Sequence, residues 1–431
     1  MLKNKKLISF VCCAFLANTL NANQIGTEYT LKDLLKVAIS NNSKIQLSNE
    51  QLNIKKQEVK KARAAYLPIL SASADVGTYD IESGGASQDG SANSLSLSAN
   101  QLIYDFGKTK SNVAISKSNL DASKSDIIST RSSILLSVKK AYYDILNKSQ
   151  QIEVSKEAIK LDELQLEQAI AYFKAGVRTQ IDITNAKLKL SNSKLKLVQE
   201  EYDLKVAKSK LISVLGKNLG NDIKIKKDKR NILTLAKAVK FNQKSLDTLI
   251  NIALENRSEI TKQEALVNAS KSNMGLVDSQ YYPKVDMAAS FSDKNSNDIT
   301  SLDVEQKALL LNVKWDFFTG NTTKYDKRIS RSQLQSNYEE LKQQKLEIQE
   351  EVTTAYYNLK QTSESVRIGL LSLNFATKNL SLADERYKAG LNDLIELNDA
   401  KLEYTQSKSS LVDTYYSYLS NIANLEYSLG L

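Results

Sequence analysis

The sequence predicts a mostly helical protein with a small β part, built from one unit that occurs twice. Three observations support this prediction. Only 2 prolines and 14 glycines occur in 431 residues, while 25% of the residues are charged, which favours long helices. Both prolines separate a polar, helix-forming stretch from one that alternates polar and apolar residues, in AAYLPIL and SQYYPKV. These two phrases belong to two similar halves of the chain.

The N-terminus has the features of a secretory signal peptide. The apolar run LISFVCCAFLANTL follows three lysines, and small residues end it near Ala22. We expect residues 1–22 to be removed; a membrane anchor is the alternative, although the run is short for a span. The chain has no histidine, and both cysteines lie in this run. The mature chain therefore offers no disulfide, thiol or imidazole chemistry.

The charge of the chain does not indicate a nucleic-acid partner. The net charge is +10, and removal of the three lysines of the signal peptide leaves +7. The lysines are dispersed among Glu, Ser and Gln, which is typical of solvated helix faces rather than of a basic patch with interleaved aromatic residues. After the signal peptide no run reaches 18 apolar residues, so no transmembrane helix is predicted. We expect no cofactor and no metal.

The repeat extends over the whole mature chain. Matching segments recur at offsets between 211 and 215 residues: 31–45 with 246–260, 104–106 with 315–317, 141–143 with 355–357, and 174–176 with 388–390. We therefore predict a first unit over 23–215 and a second over 241–431. The lysine-rich segment 216–240 joins them.

Each unit contains the same elements in the same order. The helix that precedes Pro68 ends there because proline moves the preceding residue out of the α region. In the first unit we predict helices over about 30–41 and 43–66, strands over about 68–80 and 93–106 around a polar loop at 83–90, a long helix over about 108–173, a turn at Gly176, and a helix over about 178–215. In the second unit we predict strands over about 284–293 and 306–318 and a long helix over about 321–387.

The long helices carry an apolar seam. In the first unit the seam runs at seven-residue spacing from Val113 to Ala141, steps by four residues, and continues from Ile145 to Phe173. The second unit has the same step at the same place. Such a repeat predicts a left-handed coil that unwinds locally at the step. We expect the two shorter helices of a unit to lie end to end along a long helix of roughly 100 Å. An ordinary two-stranded coiled coil is the alternative.

The strands alternate apolar and polar residues. In the first strand Leu70, Ala72, Ala74 and Val76 alternate with polar or small residues, and the other strands repeat this pattern. The pattern fits a membrane barrel wall with lipid on one side and water on the other; a half-buried sheet of a soluble head domain is the alternative. Aromatic residues cluster where strands meet helices, as in an interfacial girdle: Tyr66, Tyr104, Phe106, Tyr281, Tyr282, Trp315 and Phe318.

Four strands cannot close a barrel by themselves. At least eight strands are needed, and a bilayer forbids open strand edges. A membrane barrel would therefore be assembled from several copies of the chain. Three copies give twelve strands, whereas two copies give eight and leave little lumen.

These features together resemble the TolC family of outer-membrane efflux proteins. The resemblance covers both repeats, the helix-to-strand prolines Pro68 and Pro283, the Tyr-Asp-Phe-Gly segment 104–107 and the two Ala-Gly turns. It implies a homotrimer with one 12-stranded outer-membrane β-barrel, continued by a 12-helix α-barrel across the periplasm. It also implies an exit duct in a tripartite efflux or type I secretion system, with a periplasmic adaptor and an inner-membrane transporter as partners and outer-membrane lipid around the barrel.

The resemblance also implies functional residues at the end of the molecule away from the strands. Glu396 and Asp399 occupy positions that form acidic rings at the closed entrance of the family's channels, and Asp182 is the matching acidic residue of the first unit. A solvated helix face is the alternative for these carboxylates. Acidic rings favour cations.

Other residues match the family's gate and its docking surface. Tyr387 occupies the position of a tyrosine that links neighbouring helices in the closed state. The family's arginine after the second turn is replaced by Asn392, and Arg178 is a candidate substitute. The turns resemble the patches that meet adaptor hairpins, and their residues are Gly176, Val177, Gly390 and Leu391.

Two other classes of protein remain open at the level of sequence. A trimeric coiled-coil periplasmic or surface scaffold, or an adhesin without a pore, would need the heptads but not the strands. A periplasmic enzyme would need a site without His or Cys, and no glycine-rich loop of such a site is visible. The function implied by the resemblance is conduction rather than catalysis, and the sequence does not name the cargo.

Overall fold

The computed structural model describes residues 28–83, 86–220, 223–226, 231–241, 243–296, 304–391 and 394–431. The signal peptide predicted over 1–22 and Asn392, predicted as a gate residue, lie outside these ranges. Within them, no helix is both long enough and apolar enough to span a bilayer.

The chain is mostly helical with one small sheet, as predicted. In chain order the elements are α1 (Leu31–Asn41), α2 (Ser43–Ala64), β1 (Ile69–Ser83), β2 (Ala86–Tyr104), α3 (Lys108–Lys174), α4 (Gln180–Leu215), α5 (Ile232–Lys237), α6 (Leu246–Asn256), α7 (Ser258–Asp278), a 3-10 turn (Ser279–Tyr281), β3 (Lys284–Ser296), β4 (Val304–Lys314), α8 (Thr322–Lys388) and α9 (Leu394–Ser428).

The strands differ from the predicted boundaries at both ends of the sheet. β1 extends to Ser83, which pairs with Ala86, so most of the loop predicted at 83–90 is strand. The β-forming residues around Tyr79 explain this extension. β4 ends at Lys314 rather than near 318, and the indole N–H of Trp315 donates to the carbonyl of Tyr281 at 3.0 Å. The joining segment predicted over 216–240 contains the short helix α5.

Local side-chain caps fix where several helices begin. The side chains of Thr30 and Asp33 form a reciprocal capping box at the start of α1. The Asp105 carboxylate accepts hydrogen bonds from the backbone N–H groups of Gly107 (3.2 Å) and Thr109 (2.7 Å) and so starts α3 directly after β2. These polar residues therefore mark the change from strand to helix in the first unit.

The four strands form one antiparallel sheet in the order β1-β2-β3-β4. Pro68 and Pro283 are the residues immediately before β1 and β3. The strand register places apolar residues side by side across the sheet, in the row Leu70, Ala99, Ala289 and Leu309. The adjacent row on the other face is Ser71, Ser98, Ser290 and Ala308. The sheet therefore has an apolar face and a serine-rich face, and β1 and β4 are its edges.

The helices form a layer in which α3 is central. α2 and α4 pack along one side of α3, and α7 and α9 pack along the other. α8 packs against α7 and α9. The start of α2 meets the end of α4, where the Asn42 side-chain amide donates to the Val214 carbonyl at 2.6 Å. This contact confirms that the shorter helices of the first unit lie end to end along α3.

The apolar seam is buried along most of both long helices, but not at the tip of the first. Val113, Ile127, Ile134, Ile145 and Ile152 are buried in α3. Phe173, the last seam residue predicted in α3, is instead exposed. The preceding aromatic side chain, Tyr172, packs against α8 instead, because its ring contacts that of Tyr387.

Candidate functional site at the helix tips

The two turns at the far end of the helices have the same backbone geometry. Gly176 and Gly390 lie in the left-handed region, with φ of 73° and 74°. The N–H groups of Val177 and Leu391 donate to carbonyls five residues earlier, at 3.0 and 2.9 Å. This is the Schellman motif, which needs glycine or asparagine at the left-handed position. Each turn places an apolar side chain in solvent, because Val177 is 68% and Leu391 is 71% exposed.

The two tips of one protomer meet through a small aromatic and cationic cluster. The rings of Tyr172 and Tyr387 lie edge to face with centroids 5.7 Å apart. The Arg178 guanidinium lies over the Tyr387 ring, 5.2 Å from its centroid. Tyr387 is buried, and burial raises the pKa of its hydroxyl, with the nearby Asp182 charge acting in the same direction and Arg178 opposing them. The cluster therefore joins residues of α3, the first turn and α8.

Asp182 is close to this cluster but does not bond to Tyr387. Its carboxylate accepts hydrogen bonds from the Thr179 backbone N–H at 3.0 Å and the Thr179 hydroxyl at 3.3 Å, which caps α4. The Tyr387 hydroxyl is buried without a hydrogen-bond partner in the described part of the chain. Within one protomer, the Tyr387 hydroxyl therefore makes no hydrogen bond to Asp182, whose Oδ2 caps α4. A link between Asp182 and Tyr387 of neighbouring helices stays a prediction.

The acidic residues predicted for the entrance lie on the first turns of α9. Glu396 pairs with the Arg386 guanidinium at the end of α8, with 3.5 Å between Oε1 and Nε. Asp399 is exposed one turn further along. The described residues contain no group of three or more acidic side chains that could hold a metal ion. Within one protomer, Glu396 and Asp399 thus follow the turn at Gly390, whereas Asp182 follows the turn at Gly176.

A second polar contact lies behind the tips, between α3 and α9. The buried Gln165 amide donates to the Asn398 side chain at 2.7 Å, and the Lys401 ammonium donates to Gln165 Oε1 at 2.6 Å. Lys401 also donates to the Leu161 carbonyl at 2.9 Å. A cavity of about 290 Å³ opens beside this contact, between α3, α4 and α9. Burial lowers the pKa of Lys401 to about 8, although the charges of Asp162 and Asp384 oppose this effect.

We expect Lys401 to make stability rise with pH. Its pKa is about 8 in the folded protein and about 10.5 when unfolded, so the unfolded chain binds more protons between these values. Stability should therefore increase from pH 8 to 10.5, by at most about 3 kcal/mol. Thermal unfolding of the detergent-solubilised protein across this range measures the effect. Lys401→Met should flatten the rise, whereas Lys189→Met, at the exposed rim of the same cavity, should not.

Sequence reasoning missed several residues of this region. Tyr172 was not singled out because the seam pointed to Phe173, its neighbour. Arg386 and Lys401 were not recognised because their partners lie across a turn or on a helix more than 200 residues away in sequence. The cap at Asp182 had a readable signal, since Thr179 precedes it by three residues as in a capping box.

Comparison with known proteins places this architecture in a family. The family model described as outer membrane efflux protein matches residues 34–217 and 249–431. The outer membrane efflux protein BepC of Brucella suis biovar 1 (strain 1330) is 22% identical over 411 residues, covering 95% of this chain and 86% of that protein. The outer membrane protein TolC of Salmonella enteritidis is 21% identical, covering 87% of this chain and 76% of that protein.

Solved structures show the same fold at low sequence identity. The channel CusC has a TM-score of 0.82 at 16% identity, covering 94% of this chain and 92% of its own. The CmeC outer membrane channel of Campylobacter jejuni has a TM-score of 0.79 at 16% identity, covering 93% of this chain and 85% of its own. The family match covers both repeats and most of the sequence, and its relatives are outer-membrane channels. The chain therefore belongs to the outer membrane efflux protein family and is an outer-membrane protein that extends into the periplasm.

Proposed function

We propose that three copies of this chain close into a duct that conducts substrates out of the cell. The observation that carries this proposal is that the protomer has two incomplete sides. β1 and β4 are unpaired edges of the sheet, and the apolar side chains Leu70 and Leu309 of these strands are 75% and 70% exposed. Unpaired amides in a bilayer cost several kcal/mol each, so the edges need partners. Pairing β1 of one copy with β4 of the next removes both edges.

The helical part of the protomer has matching open sides. Large apolar side chains are exposed along α8, and others along α2 and α4. On α8 they are Tyr325, Ile329, Tyr338, Leu346, Tyr357, Ile368, Leu371, Phe375 and Leu382; on α2 and α4 they are Leu47, Ile54, Ile181, Leu188, Leu195, Val198, Tyr202 and Val206. Exposed apolar area of this extent indicates an interface. In a ring of three protomers, α8 of one copy would pack against α2 and α4 of the next.

Closure of this kind gives a twelve-stranded barrel followed by a twelve-helix tube. We assign the chain the role of exit duct in a tripartite efflux or type I secretion system, fed by an inner-membrane transporter and a periplasmic adaptor. Residues 1–22 would direct export of the chain. The duct conducts passively and is not an enzyme. A scaffold without a pore is less well supported, since it has no use for a sheet with one apolar and one serine-rich face.

Single-channel recording of the purified protein in a planar bilayer tests the duct. We expect defined conductance steps from a heat-sensitive trimer that needs detergent for extraction. A protein that is released by osmotic shock and that gives no conductance would overturn the proposal in favour of a scaffold.

We further propose that Glu396 and Asp399 line the periplasmic entrance. Three copies would bring six carboxylates around one opening, which favours cations. Glu396→Ala with Asp399→Ala should therefore reduce cation preference, measured from reversal potentials in a salt gradient. Loss of Glu396 also leaves the positive charge of Arg386 without this carboxylate, which further disfavours cations at the tip. Glu167→Ala, an exposed carboxylate on α3, is the control. Unchanged selectivity in the double variant contradicts this assignment.

The exposed residues of the two turns are the proposed docking surface for the adaptor. Val177 and Leu391 each follow a left-handed glycine and lie in solvent. Val177→Asp with Leu391→Asp should abolish co-purification of an adaptor from cell envelopes, because a buried unpaired carboxylate is costly at an interface. Trimer formation and conductance should persist, which separates docking from folding. Undiminished capture would mean that the adaptor binds elsewhere.

A further inference from the structure

The positive charge of the chain is concentrated in one segment. Residues 216–244 contain nine Lys and Arg against two Asp, a net charge of +7. This equals the whole net charge that remains after the three lysines of the signal peptide are removed from the total of +10. The rest of the mature chain is balanced. The prediction of dispersed, solvated lysines therefore describes the long helices but not this segment.

The structure describes six of these basic residues, and all six side chains are exposed. They are Lys217, Lys224, Lys226, Lys237, Lys240 and Lys244, and we call them the basic belt. In the described part of the chain, none of their ammonium groups lies within ion-pair distance of a carboxylate. Lysines on the helices differ, as Lys148 pairs with Asp203 at 2.8 Å and Lys262 with Asp126 at 2.8 Å. Among the described residues, the belt is thus a surface of positive charge that no carboxylate pairs with.

The backbone that carries the belt is held in place. The Tyr29 N–H donates to the Lys224 carbonyl at 2.9 Å, and the Lys226 N–H donates to the Tyr29 carbonyl at 3.0 Å. Ile223 and Ile225 are buried in the core formed with α1, α3 and α4. Successive side chains of an extended segment point to opposite sides, so Lys224 and Lys226 face solvent. The short helix α5 buries its apolar face against α8 and α9 and leaves Lys237 exposed.

The belt lies midway along the helical part of the molecule. The segment that carries the belt packs into hydrophobic clusters that include Ile134, Ile145 and Val154 of α3, a helix that starts at Lys108. At 1.5 Å per residue, the belt is roughly 40–70 Å from the sheet along the helix axis. About 20–40 residues of α3 separate it from the tip, or roughly 30–60 Å. It is therefore too far from the bilayer for lipid headgroups and too far from the turns to belong to them.

The composition of the belt favours a flexible polyanion over a folded protein. Protein interfaces depend on aromatic and arginine anchors in well-packed centres and are depleted in lysine. The described residues of segment 216–244 include no arginine, and the one large apolar side chain exposed among them, Leu233, is only 36% exposed. Lysine is a mobile point charge that suits carboxylates without fixed geometry. Repeated weak contacts of this kind sum to strong binding through multivalency.

We propose that the basic belt binds the carboxylate-bearing glycan and peptide mesh of the cell wall. This partner is a polymer with repeating negative charges, and it lies in the periplasm that this outer-membrane protein enters. Three copies of the chain would present eighteen described lysines around the tube. The contact would fix the protein in the wall and does not require conduction; only the count of eighteen lysines rests on the proposed trimer.

Co-sedimentation with purified peptidoglycan sacculi tests the proposal on the full-length protein in detergent. Wild type should sediment with sacculi at low ionic strength and be released by salt. Replacement of all six belt lysines by glutamine should weaken sedimentation at least about tenfold. The control replaces six exposed helix lysines that lie off the proposed interface between protomers by glutamine: Lys56, Lys60, Lys110, Lys117, Lys187 and Lys189. Trimer migration and conductance should match wild type in both variants.

Two outcomes would overturn this assignment. If the belt variant sediments as well as the control variant, the belt is not the binding surface. If wild type does not sediment with sacculi at all, the wall is not the partner; belt-dependent retention on immobilised polyglutamate would then assign the surface to an acidic protein instead.

Discussion

Replacing Arg257 by methionine should lower the free energy of unfolding by about 3–5 kcal/mol, the usual cost of breaking a buried ion pair from one side. Arg257 is buried at the start of α7, with its guanidinium 2.9 Å from Glu259 and 2.9 Å from Glu351. It also donates to the Ser428 carbonyl at the end of α9, at 3.4 Å. The side chain thus joins α7, α8 and α9 at a single point.

The large loss of stability expected for Arg257→Met arises because Glu259 is left partly buried without its cationic partner. Burial opposes ionisation of Glu259, but the charge and hydrogen bond of Arg257 hold the pKa of that carboxyl below its ordinary value. Without the guanidinium, Glu259 keeps only the Ser129 hydroxyl, at 2.9 Å, among its described side-chain donors. Arg257→Met with Glu259→Gln should therefore recover much of the loss, because no buried charge is left unpaired.

Urea denaturation in detergent, followed by circular dichroism, measures this difference. Lys262→Met is a matched control, because Lys262 and Asp126 also join α7 to α3 at 2.8 Å but are both well exposed. Such a pair contributes at most about 1 kcal/mol. If Arg257→Met and Lys262→Met cost the same, or if the double variant is no more stable than Arg257→Met, the network does not have the role assigned here.

In each unit the start of one shorter helix meets the end of the other, and we call this place the joint. The joint of the first unit uses different chemistry from that of the second. Asn42 is the counterpart of Arg257, and it caps α2 through the Lys44 N–H (2.8 Å) while donating to the Val214 carbonyl. The repeat was readable from matching phrases, so the existence of two joints followed from the sequence. The replacement of an amide by a guanidinium network was not readable, because Glu351 and Ser428 come from distant parts of the chain.

The limits of sequence reasoning differ between the fold and the tips. The long helices could be delimited because a proline, a glycine turn and an unbroken seam mark their ends. The strand ends could not be delimited in this way, because the segment near Tyr79 combines β-forming residues with nearby glycine and serine. At the tips, the acidic residues were found by resemblance alone. Their partners depend on how two turns face each other, which residue spacing does not determine.

Alanine at Gly216 or Gly430 should destabilise the protein more than alanine at Gly176 or Gly390. All four glycines end long helices with φ between 68° and 75°. Each substitution therefore has the same conformational cost of about 1–2 kcal/mol for a left-handed residue with a side chain. At Gly176 and Gly390 an added Cβ meets no atom within 4 Å, so no steric cost is added to the conformational one.

At the other two glycines an added Cβ would meet backbone. At Gly216 it would lie 2.7 Å from the Asn41 carbonyl oxygen and 2.7 Å from the Cα of Asn42, and at Gly430 it would lie 3.0 Å from the Asn256 carbonyl group. Neither contact can be relieved by a side-chain rotation, so α4 or α9 must move away from the joint. Gly216→Ala should cost the most, since its contacts are shorter, and the shift also lengthens the Asn42–Val214 hydrogen bond.

Unfolding free energies of the four single variants test this order. The expected ranking of the losses is Gly216→Ala first, Gly430→Ala second, and the two tip variants last and equal. The tip variants isolate the cost of the left-handed conformation, so any excess in the other two measures the close approach of helix ends. Equal losses in all four would mean that the joint between the end-to-end helices has room for a methyl group. The tight packing of the two joints would then not be what holds the shorter helices in line along the long ones.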